Sequence, residues 1–447
     1  MLINKIKGIL SSKAIKNSFW IIGEQIFQMI ISLVVGVLSA RYLGPSNYGT
    51  LNYTASFISF FTSVATLGLD GIVIMKIIAN PEKEGELLGT SIFFRIISAF
   101  LSSLLILFLI YIINGNNTIL LILAAAQSLQ LIMMSFNIFD TYFQRHLKSK
   151  YVSIAKMIAC IIVAAYRIYL LATQKSIIWF AFSNTFSYSI IAVVLFIAYK
   201  RDKGKKLIIN CKTGFNVLSE SYHFILSGLM VAIYGHMDKI MLGSMLSETT
   251  VGFYTAAATI CTMWIFVPTA IINSFRPVIM ELKTKGEEKE YLLRLQQLYS
   301  AIIWLCLFVS LVVFLLGNFI VKLLYGSDFI ESAKILKLLI WSETFSMIGT
   351  ARGIWIISEK KNKYTKYYLA IGCVVNLILN FLLIPNYGAG GAAFATLITQ
   401  ITTSLIAPLF FKGTRVHTKI VLEAFICKWY FKKGEDKNGD KIGIEKE

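Results

Sequence analysis

Polar and ionisable side chains recur at helical spacing inside long apolar segments of this chain, and these residues are the best candidates for chemistry or binding. The clearest set advances in steps of three, four or seven residues and comprises Glu220, His223, Ser227, Tyr234 and Asp238. Such steps place side chains on one face of a helix. Ionisable groups within apolar helices are costly and usually face a cavity or a partner. We interpret this face as one wall of a water-filled cavity; a hydrogen-bonded seam between helices is the alternative.

Weaker polar faces repeat the pattern in three other segments. They comprise Asn17, Glu24, Gln28 and Ser32; then Gln130, Asn137, Thr141 and Gln144, with Asp140 adjacent; then Asn376 and Asn380. A single row of hydrogen bonds between two helices would not need polar faces on so many helices. The sequence therefore predicts a shared, water-filled interior.

Buried cations indicate what that interior would bind. Arg95, Arg167 and Arg352 lie well inside apolar segments, where a cation must pair with an acid or bind an anion. Lys156 and Lys239 lie nearer the segment ends and could extend to the interface. Residues at helix ends, among them Arg41, Arg145 and Arg276, could equally be interfacial. Because the planar guanidinium group suits phosphate oxygens, this interior would suit an anionic, hydroxyl-rich solute such as a glycan phosphate.

The elements that position these residues are twelve apolar segments, each long enough to cross a bilayer at about 20 residues. They are 17–40, 48–69, 87–112, 118–139, 151–172, 177–199, 216–242, 250–275, 291–316, 333–357, 364–384 and 389–411. Of the 447 residues, 56% are hydrophobic and only 15% are charged, which excludes a soluble enzyme. The segments do not alternate as the strands of a β-barrel do. The sequence predicts an all-α integral membrane protein of about 12 transmembrane helices.

The formal net charge of +19 is explained by membrane topology. Of the 43 Lys and Arg residues, 33 lie in or within a few residues of the N-terminal segment, the even-numbered connections and the C-terminal tail, and four lie in or next to the odd-numbered connections. Cytoplasmic loops are the ones enriched in Lys and Arg. We therefore expect both termini to be cytoplasmic, and no nucleic acid partner is needed to explain the charge.

Catalytic and metal-binding patterns are missing from the sequence. It has no Gly-rich phosphate loop, no HExxH motif and no nucleophile elbow. The six cysteines form no CxxC pair, and the four histidines lack metal-ligand spacing. The sequence predicts a protein that is not an enzyme, with no catalytic residues, no metal site and no cofactor.

Interruptions in two segments indicate a two-lobed arrangement. Pro268 lies inside the eighth segment, and Gly68 and Gly71 flank Asp70 at the end of the second. Breaks at corresponding places in two halves are typical of transporter sites. The predicted division is an N-terminal lobe at 1–199, a cytoplasmic inter-lobe loop at 200–215, a C-terminal lobe at 216–411, and a basic cytoplasmic tail at 412–447 with an interfacial helix.

Several short motifs resemble those of bacterial O-antigen and capsular polysaccharide flippases, in the polysaccharide-transporter branch of the multidrug/oligosaccharidyl-lipid/polysaccharide (MOP) exporter superfamily. Residues 40–45 read ARYLGP and resemble the end of the first helix of that family, and residues 67–70 read LGLD, as at the close of its second helix. Residues 238–243 read DKIMLG and, with Val251-Gly252-Phe253-Tyr254 and Pro268, resemble its seventh and eighth helices. The twelve-segment layout matches along nearly the whole chain except the C-terminal tail.

The resemblance implies a MATE-like fold of two six-helix lobes around a central cavity that opens alternately to each side. It implies a multi-pass protein of the bacterial cytoplasmic (inner) membrane, which carries undecaprenyl-pyrophosphate-linked oligosaccharides to the outer leaflet. The predicted substrate-binding residues are Arg41, Arg95, Arg167, Arg276, Arg352, His223 and Tyr234. Coupling to an H+ or Na+ gradient is assigned to Glu24, Asp70 and Asp238. The expected partners are the lipid-linked oligosaccharide and membrane lipids, with a glycan polymerase and a chain-length regulator.

Two other functions stay open at the level of sequence. One is a drug/cation antiporter of the same superfamily, which an excess of cavity arginine disfavours because like charges repel in low dielectric. The other is a membrane glycan polymerase or acyltransferase, although a polymerase would usually carry a long outward loop and the odd-numbered connections here are short.

Overall fold

The computed structural model describes residues 13–427, with side chains from residue 20 onward, and this part of the chain is built from helices joined by short connections. The first eight helices are α1 (Lys13–Ala65), α2 (Asp70–Ala79), α3 (Glu84–Asn114), α4 (Thr118–Met134), α5 (Phe139–Arg145), α6 (Ser149–Ala172), α7 (Ile177–Ala181) and α8 (Ser183–Arg201). The others are α9 (Cys211–Met245), α10 (Glu248–Thr262), α11 (Phe266–Lys285), α12 (Glu288–Tyr325), α13 (Glu331–Ser358), α14 (Thr365–Ile401), α15 (Ala407–Phe410) and α16 (Arg415–Phe425).

Among the described residues, eight helical stretches are long and apolar enough to cross a membrane. The bent pair of α10 and α11, which turns by 40° at a short break, brings the number to nine if it is counted as one span. The predicted all-α membrane architecture is therefore confirmed. The side chain of Asn17 and the tail beyond residue 427 lie outside the described residues.

Two of the long helices, α1 and α14, are each broken at a glycine. α1 has 53 residues, which at 1.5 Å per residue would reach about 80 Å, against about 30 Å of hydrocarbon. At Gly44 the backbone has φ 70° and ψ 171°, and at Gly388 in α14 it has φ 58° and ψ −140°. Glycine tolerates positive φ because it lacks a Cβ atom. Each long helix thus supplies two of the predicted segments.

The chain forms two compact units, Met1–Gly252 and Phe253–Glu447. The first unit includes α9. The predicted division into two six-helix lobes at 200–215 stays a prediction.

Within the first unit, α1 packs against α3, α4, α6 and α9. Lipid is as apolar as leucine, so such helices are held by close packing rather than by escape from water. Small residues permit the closest approach. A Cβ atom added to Gly49 would lie 1.7 Å from the carbonyl oxygen of Glu248 and 2.8 Å from the backbone nitrogen of Gly252. Gly49 and Gly252 therefore lie against each other.

The connection between α8 and α9 is bonded along the start of α3. The Ile208 N–H donates to the carbonyl oxygen of Gly85 at 3.3 Å. The Asn210 N–H donates to Thr90 Oγ1 at 3.0 Å, and Lys205 Nζ donates to the carbonyl oxygen of Pro81 at 2.8 Å. This connection, residues 202–210, is therefore fixed to α3, and we call it the strap.

An ion cluster holds the end of α8 beside the strap. Asp202 accepts hydrogen bonds from Lys148 Nζ at 2.6 Å and from the Tyr142 hydroxyl at 2.8 Å. Although partial burial acts to raise it, these two donors hold the pKa of the Asp202 carboxyl below its ordinary value.

The core of the second unit lies among α12, α13, α14 and α16. α16 is short and amphipathic, with His417, Ile420, Val421 and Ala424 buried. His417 shares a hydrogen bond of 2.9 Å with the Tyr299 hydroxyl of α12. Burial lowers the pKa of His417 well below its ordinary value, so the ring is neutral and anchors α16.

Candidate functional site

A polar cavity of about 580 Å³ lies inside the first unit. Its walls come from α1, α4, α6, α8 and the turn that follows α4. The volume falls in the range of about 300–1,000 Å³ that is usual for small-molecule sites. Amide and hydroxyl groups dominate the lining: Gln25, Gln28, Ser32, Ser59, Thr62, Gln130, Asn137, Asn184, Ser187 and Tyr188.

Helical periodicity on α1 and α6 explains why these polar groups meet. Glu24, Gln28 and Ser32 are spaced by four residues and share the inner face of α1. On α6, Lys156 and Arg167 are eleven residues apart, close to three helical turns, with Cys160 between them. The opposite face of α6 exposes isoleucines: Ile158, Ile161, Ile162 and Ile168. Each helix therefore has an apolar outer face and a polar inner face.

Lys156 interacts with two acids. Its Nζ atom is 3.9 Å from Asp140 Oδ2 of α5, and it also interacts electrostatically with Glu24. Asp140 accepts a hydrogen bond from Gln144 Nε2 at 3.1 Å. Glu24 is 5% exposed, and no hydrogen bond joins it to any side chain from residue 20 to 427. The sequence left open that Lys156 extends to the interface; in the structure its side chain lies in the cavity wall.

Arg167 is the cation that faces the cavity without an acid. It is half-buried, and within the described residues its guanidinium has no hydrogen bond or ion pair; its electrostatic neighbours are the neutral Tyr48 and Cys160. A guanidinium group aimed into a polar cavity can bind a carboxylate or phosphate oxygen pair.

The other predicted residues of the first unit lie elsewhere. Arg95 of α3 is 1% exposed, and its Nη2 is 3.0 Å from Asp70 Oδ1 at the start of α2. Neither residue lines the cavity. The remaining members of the predicted set also lie away from this lining: Arg41 and His223 are exposed, Tyr234 is half-buried, and Asp238 is buried.

In the second unit, Arg352 is held by local contacts. Its Nη1 donates to the carbonyl oxygen of Thr403, and its guanidinium carbon lies 4.4 Å from the ring centroid of Tyr368. The carbonyl belongs to a π-helical turn at Thr402–Ile406. Arg276 of α11 is exposed. The binding and coupling roles of all these residues stay predictions.

Glu24, Arg167 and part of the polar lining were named from the sequence: Gln28, Ser32, Gln130 and Asn137. The structure adds Cys160, Asn184 and Tyr188 to the cavity lining, and it places Lys156 in the wall with Asp140 behind it. The available signal was the repeated step of four or seven residues along α6. Across residues 13–427, no cluster of three or more His, Cys, Asp or Glu side chains is suited to a metal ion.

Comparison with known families settles the identity at the family level. A family model described as "Polysaccharide biosynthesis protein" matches residues 14–283, more than half of the chain. The chain belongs to this family. A second family model, MatE, matches residues 224–382. The resemblance inferred from the short motifs is confirmed.

Individual relatives are distant. A putative O-antigen transporter of Shigella flexneri is 22% identical over 413 residues, covering 88% of this chain and 96% of that protein. A probable low-salt glycan biosynthesis flippase, Agl15, of Haloferax volcanii is 23% identical over 197 residues, and the match covers 44% of this chain and 41% of that protein. The chain thus matches less than half the length of the second relative.

The fold has a solved counterpart. A structure of the lipid II flippase MurJ in an inward closed conformation superposes with a TM-score of 0.69 at 17% identity, covering 90% of each chain. Together with the MatE match, this likeness confirms an all-α, MATE-like, multi-pass membrane protein.

Proposed function

We propose that this protein is a flippase that moves lipid-linked oligosaccharides across a membrane. Family membership and relatives named as an O-antigen transporter and a flippase support a transporter rather than an enzyme. The observation in the molecule that carries the proposal is the cavity of the first unit. There the guanidinium group of Arg167, which has no acidic partner among the described residues, lies among amide and hydroxyl side chains.

The cavity lining matches the chemistry of a charged glycan. Sugar hydroxyls both donate and accept hydrogen bonds, and so do the amide groups of Gln28, Gln130 and Asn184. An oxyanion on the glycan or on its lipid carrier would pair with Arg167. A single guanidinium fixes the position of such a group and leaves the hydroxyls to the neutral side chains.

In its finer form, the proposal names undecaprenyl-pyrophosphate-linked repeat units for O-antigen or capsule assembly. The units would move from the cytoplasmic to the outer leaflet of the bacterial inner membrane by alternating access. Both termini would be cytoplasmic, and a glycan polymerase and a chain-length regulator would act next. Glu24, Asp70 and Asp238 are the proposed residues for coupling to an H+ or Na+ gradient.

Deletion of the gene tests the function. We expect lipid-linked repeat units to accumulate on the cytoplasmic leaflet, where an impermeant lectin or periodate reaches them only after permeabilisation. Complementation with the wild-type chain is the control. Units that reach the outer leaflet and stay unpolymerised would instead identify the protein as a polymerase.

A drug/cation antiporter is the competing function within the superfamily. A cationic drug entering this cavity would approach Arg167, whose charge no acid among the described residues offsets, and like charges repel strongly in low dielectric. Expression in a drug-sensitive host separates the two functions. The flippase proposal expects unchanged resistance to cationic drugs.

A further inference from the structure

The short helix α16 runs across α12 rather than along it. His417 of α16 shares a hydrogen bond of 2.9 Å with the Tyr299 hydroxyl. The carbonyl oxygen of Ala424 accepts a hydrogen bond of 2.6 Å from Ser300 Oγ. The two contacts lie seven residues apart on α16, which is about 10 Å along a helix, but they reach adjacent residues of α12. Because α12 is one of the helices that can cross a membrane, α16 lies close to the membrane plane.

α16 lies at the level where α12 enters the hydrocarbon core. No charged residue of α12 lies between Arg294 and Lys322, so this apolar stretch is the part that crosses the core. The contacts with α16 lie near the beginning of this stretch. Trp304, one turn further on, is 51% exposed, and its ring stacks on Phe425 of α16 with centroids 5.8 Å apart. Tryptophan is enriched at the boundary between hydrocarbon and headgroups, which is where these contacts place α16.

The face of α16 that points away from the protein changes character along the helix. It consists of four exposed side chains spaced by four, three and four residues: Arg415, Lys419, Leu422 and Ile426. The first half of this face is basic. The second half is apolar, with Leu422 57% and Ile426 61% exposed. A phospholipid has the same two parts, a charged phosphate beside apolar acyl chains, so the face matches a lipid at the membrane boundary.

The basic half of the face carries an excess of positive charge. Lys412, which is exposed just before the helix, adds a third cation. Arg415 is held at the helix start by a hydrogen bond of 2.8 Å from its Nε atom to the carbonyl oxygen of Leu409. The single acid of α16, Glu423, accepts a hydrogen bond of 2.8 Å from Gln296 Nε2 of α12. Three cations thus face one acid at the level of the headgroups, where they attract anionic lipids.

We propose that α16 binds an anionic phospholipid through this face. The phosphate lies at Arg415 and Lys419. The acyl chains lie against Leu422 and Ile426. Because a ligand stabilises the folded state that binds it, the bound lipid strengthens the packing of α16 on α12. The inference concerns the second unit alone and does not rest on the proposed flippase function.

Lipid binding by the purified full-length protein in detergent tests the choice of headgroup. The probes are dioleoylphosphatidylglycerol, the zwitterionic dioleoylphosphatidylcholine and sn-glycero-3-phosphoglycerol, which is the anionic headgroup without acyl chains. Native mass spectrometry gives each Kd, and the thermal unfolding midpoint reports stabilisation. We expect phosphatidylglycerol to bind most tightly and to raise the midpoint, and the soluble headgroup to do neither.

Paired substitutions test the basic half of the face. Arg415→Gln/Lys419→Gln should bind phosphatidylglycerol roughly thirtyfold more weakly, because each cation near an anionic lipid contributes about fivefold. Its Kd for phosphatidylcholine should not change. The matched control is Lys285→Gln/Lys289→Gln, which removes two exposed lysines of the same spacing outside α16 and should keep the wild-type Kd. Unfolding midpoints without lipid show whether each variant is folded.

The apolar half of the face is tested by its depth in the bilayer. Leu422→Ser/Ile426→Ser should weaken the binding of both lipids. In a background without native cysteines, spin labels are placed on Leu422→Cys and Lys419→Cys in phosphatidylglycerol vesicles. The first label should be relaxed mainly by oxygen, which concentrates in hydrocarbon, and the second by a water-soluble nickel chelate.

Four other results overturn the inference. The first is unchanged phosphatidylglycerol binding by Arg415→Gln/Lys419→Gln, and the second is an equal loss in the lysine control. The third is a label at Leu422→Cys that the nickel chelate reaches as readily as the label at Lys419→Cys. The fourth is binding of the soluble headgroup as tight as that of phosphatidylglycerol, which would identify a site for free phosphate instead of a lipid.

Discussion

At the scale of single residues, the structure separates the buried arginines by what they already hold. Arg95 is paired with Asp70, and Arg352 is bonded to a carbonyl and stacked on Tyr368. Arg167 alone among these three faces the cavity of the first unit. Sequence could place all three at membrane depth, because their positions within apolar segments are visible there. It could not distinguish them, because pairing depends on helices that are distant in sequence.

Replacement of Arg167 is expected to impair transport. Arg167→Gln removes a charge-assisted interaction worth about 1.5–3 kcal/mol, or roughly tenfold to a hundredfold in affinity. Arg167→Lys keeps the charge but lacks the planar guanidinium group. Its transport rate should lie between those of the wild type and Arg167→Gln. The measurement is the rate at which lipid-linked units reach the outer leaflet.

The matched control for Arg167 is Arg201→Gln, which changes an exposed arginine at the end of α8. It should transport normally. Wild-type transport by Arg167→Gln, at equal protein levels in the membrane, would remove this residue from the site.

At the scale of elements, long apolar segments made the helices predictable, and their interruptions were partly predictable as well. Gly44 lies in the connection expected between the first two segments, and its positive φ explains why a single continuous helix is avoided. The contact between Gly49 and Gly252 was not predictable. A glycine in sequence does not reveal which backbone approaches it.

A pair of identical substitutions in α1 tests that contact. Gly49→Ala places a Cβ atom 1.7 Å from the carbonyl oxygen of Glu248, so the backbone must move. Overpacking of this kind typically costs about 1–3 kcal/mol. The thermal unfolding midpoint of the purified protein should fall.

Gly36→Ala is the control in the same helix, because nothing lies within 4 Å of its added Cβ atom. Alanine also forms helices better than glycine, so this variant should be neutral or slightly stabilised. Equal midpoints for the two variants would mean that the Gly49 contact contributes little.

At the scale of the whole molecule, composition and charge placement were enough to predict a multi-pass helical protein, since both follow from the bilayer as solvent. The short motifs were enough for the family. The cavity was only partly predicted: Glu24, Arg167 and several amide side chains were named, but the sequence did not show whether Lys156 faces the cavity or the interface. Its position depends on Asp140, which approaches from α5.

Membrane orientation is testable through two lysines. Cysteines placed at Lys175 and Lys203 lie in the fifth and sixth connections of the predicted topology. In a background without native cysteines, an impermeant maleimide should label Lys175→Cys in intact cells. Lys203→Cys should react only after permeabilisation.

The control for orientation is labelling of both variants after permeabilisation, which shows that each cysteine is accessible. The reverse pattern in intact cells would invert the proposed topology and place both termini outside. Equal labelling of both positions in intact cells would contradict the prediction that one transmembrane segment, 177–199, separates them.

The strap between α8 and α9 has a consequence for biosynthesis. Its hydrogen-bond partners, Pro81, Gly85 and Thr90, are made more than a hundred residues earlier. By the time the ribosome delivers residues 205–210, the start of α3 already offers the acceptors that receive them. We therefore expect the connection, once it leaves the ribosome, to find these partners already in place and to hold the first residues of α9 beside α3.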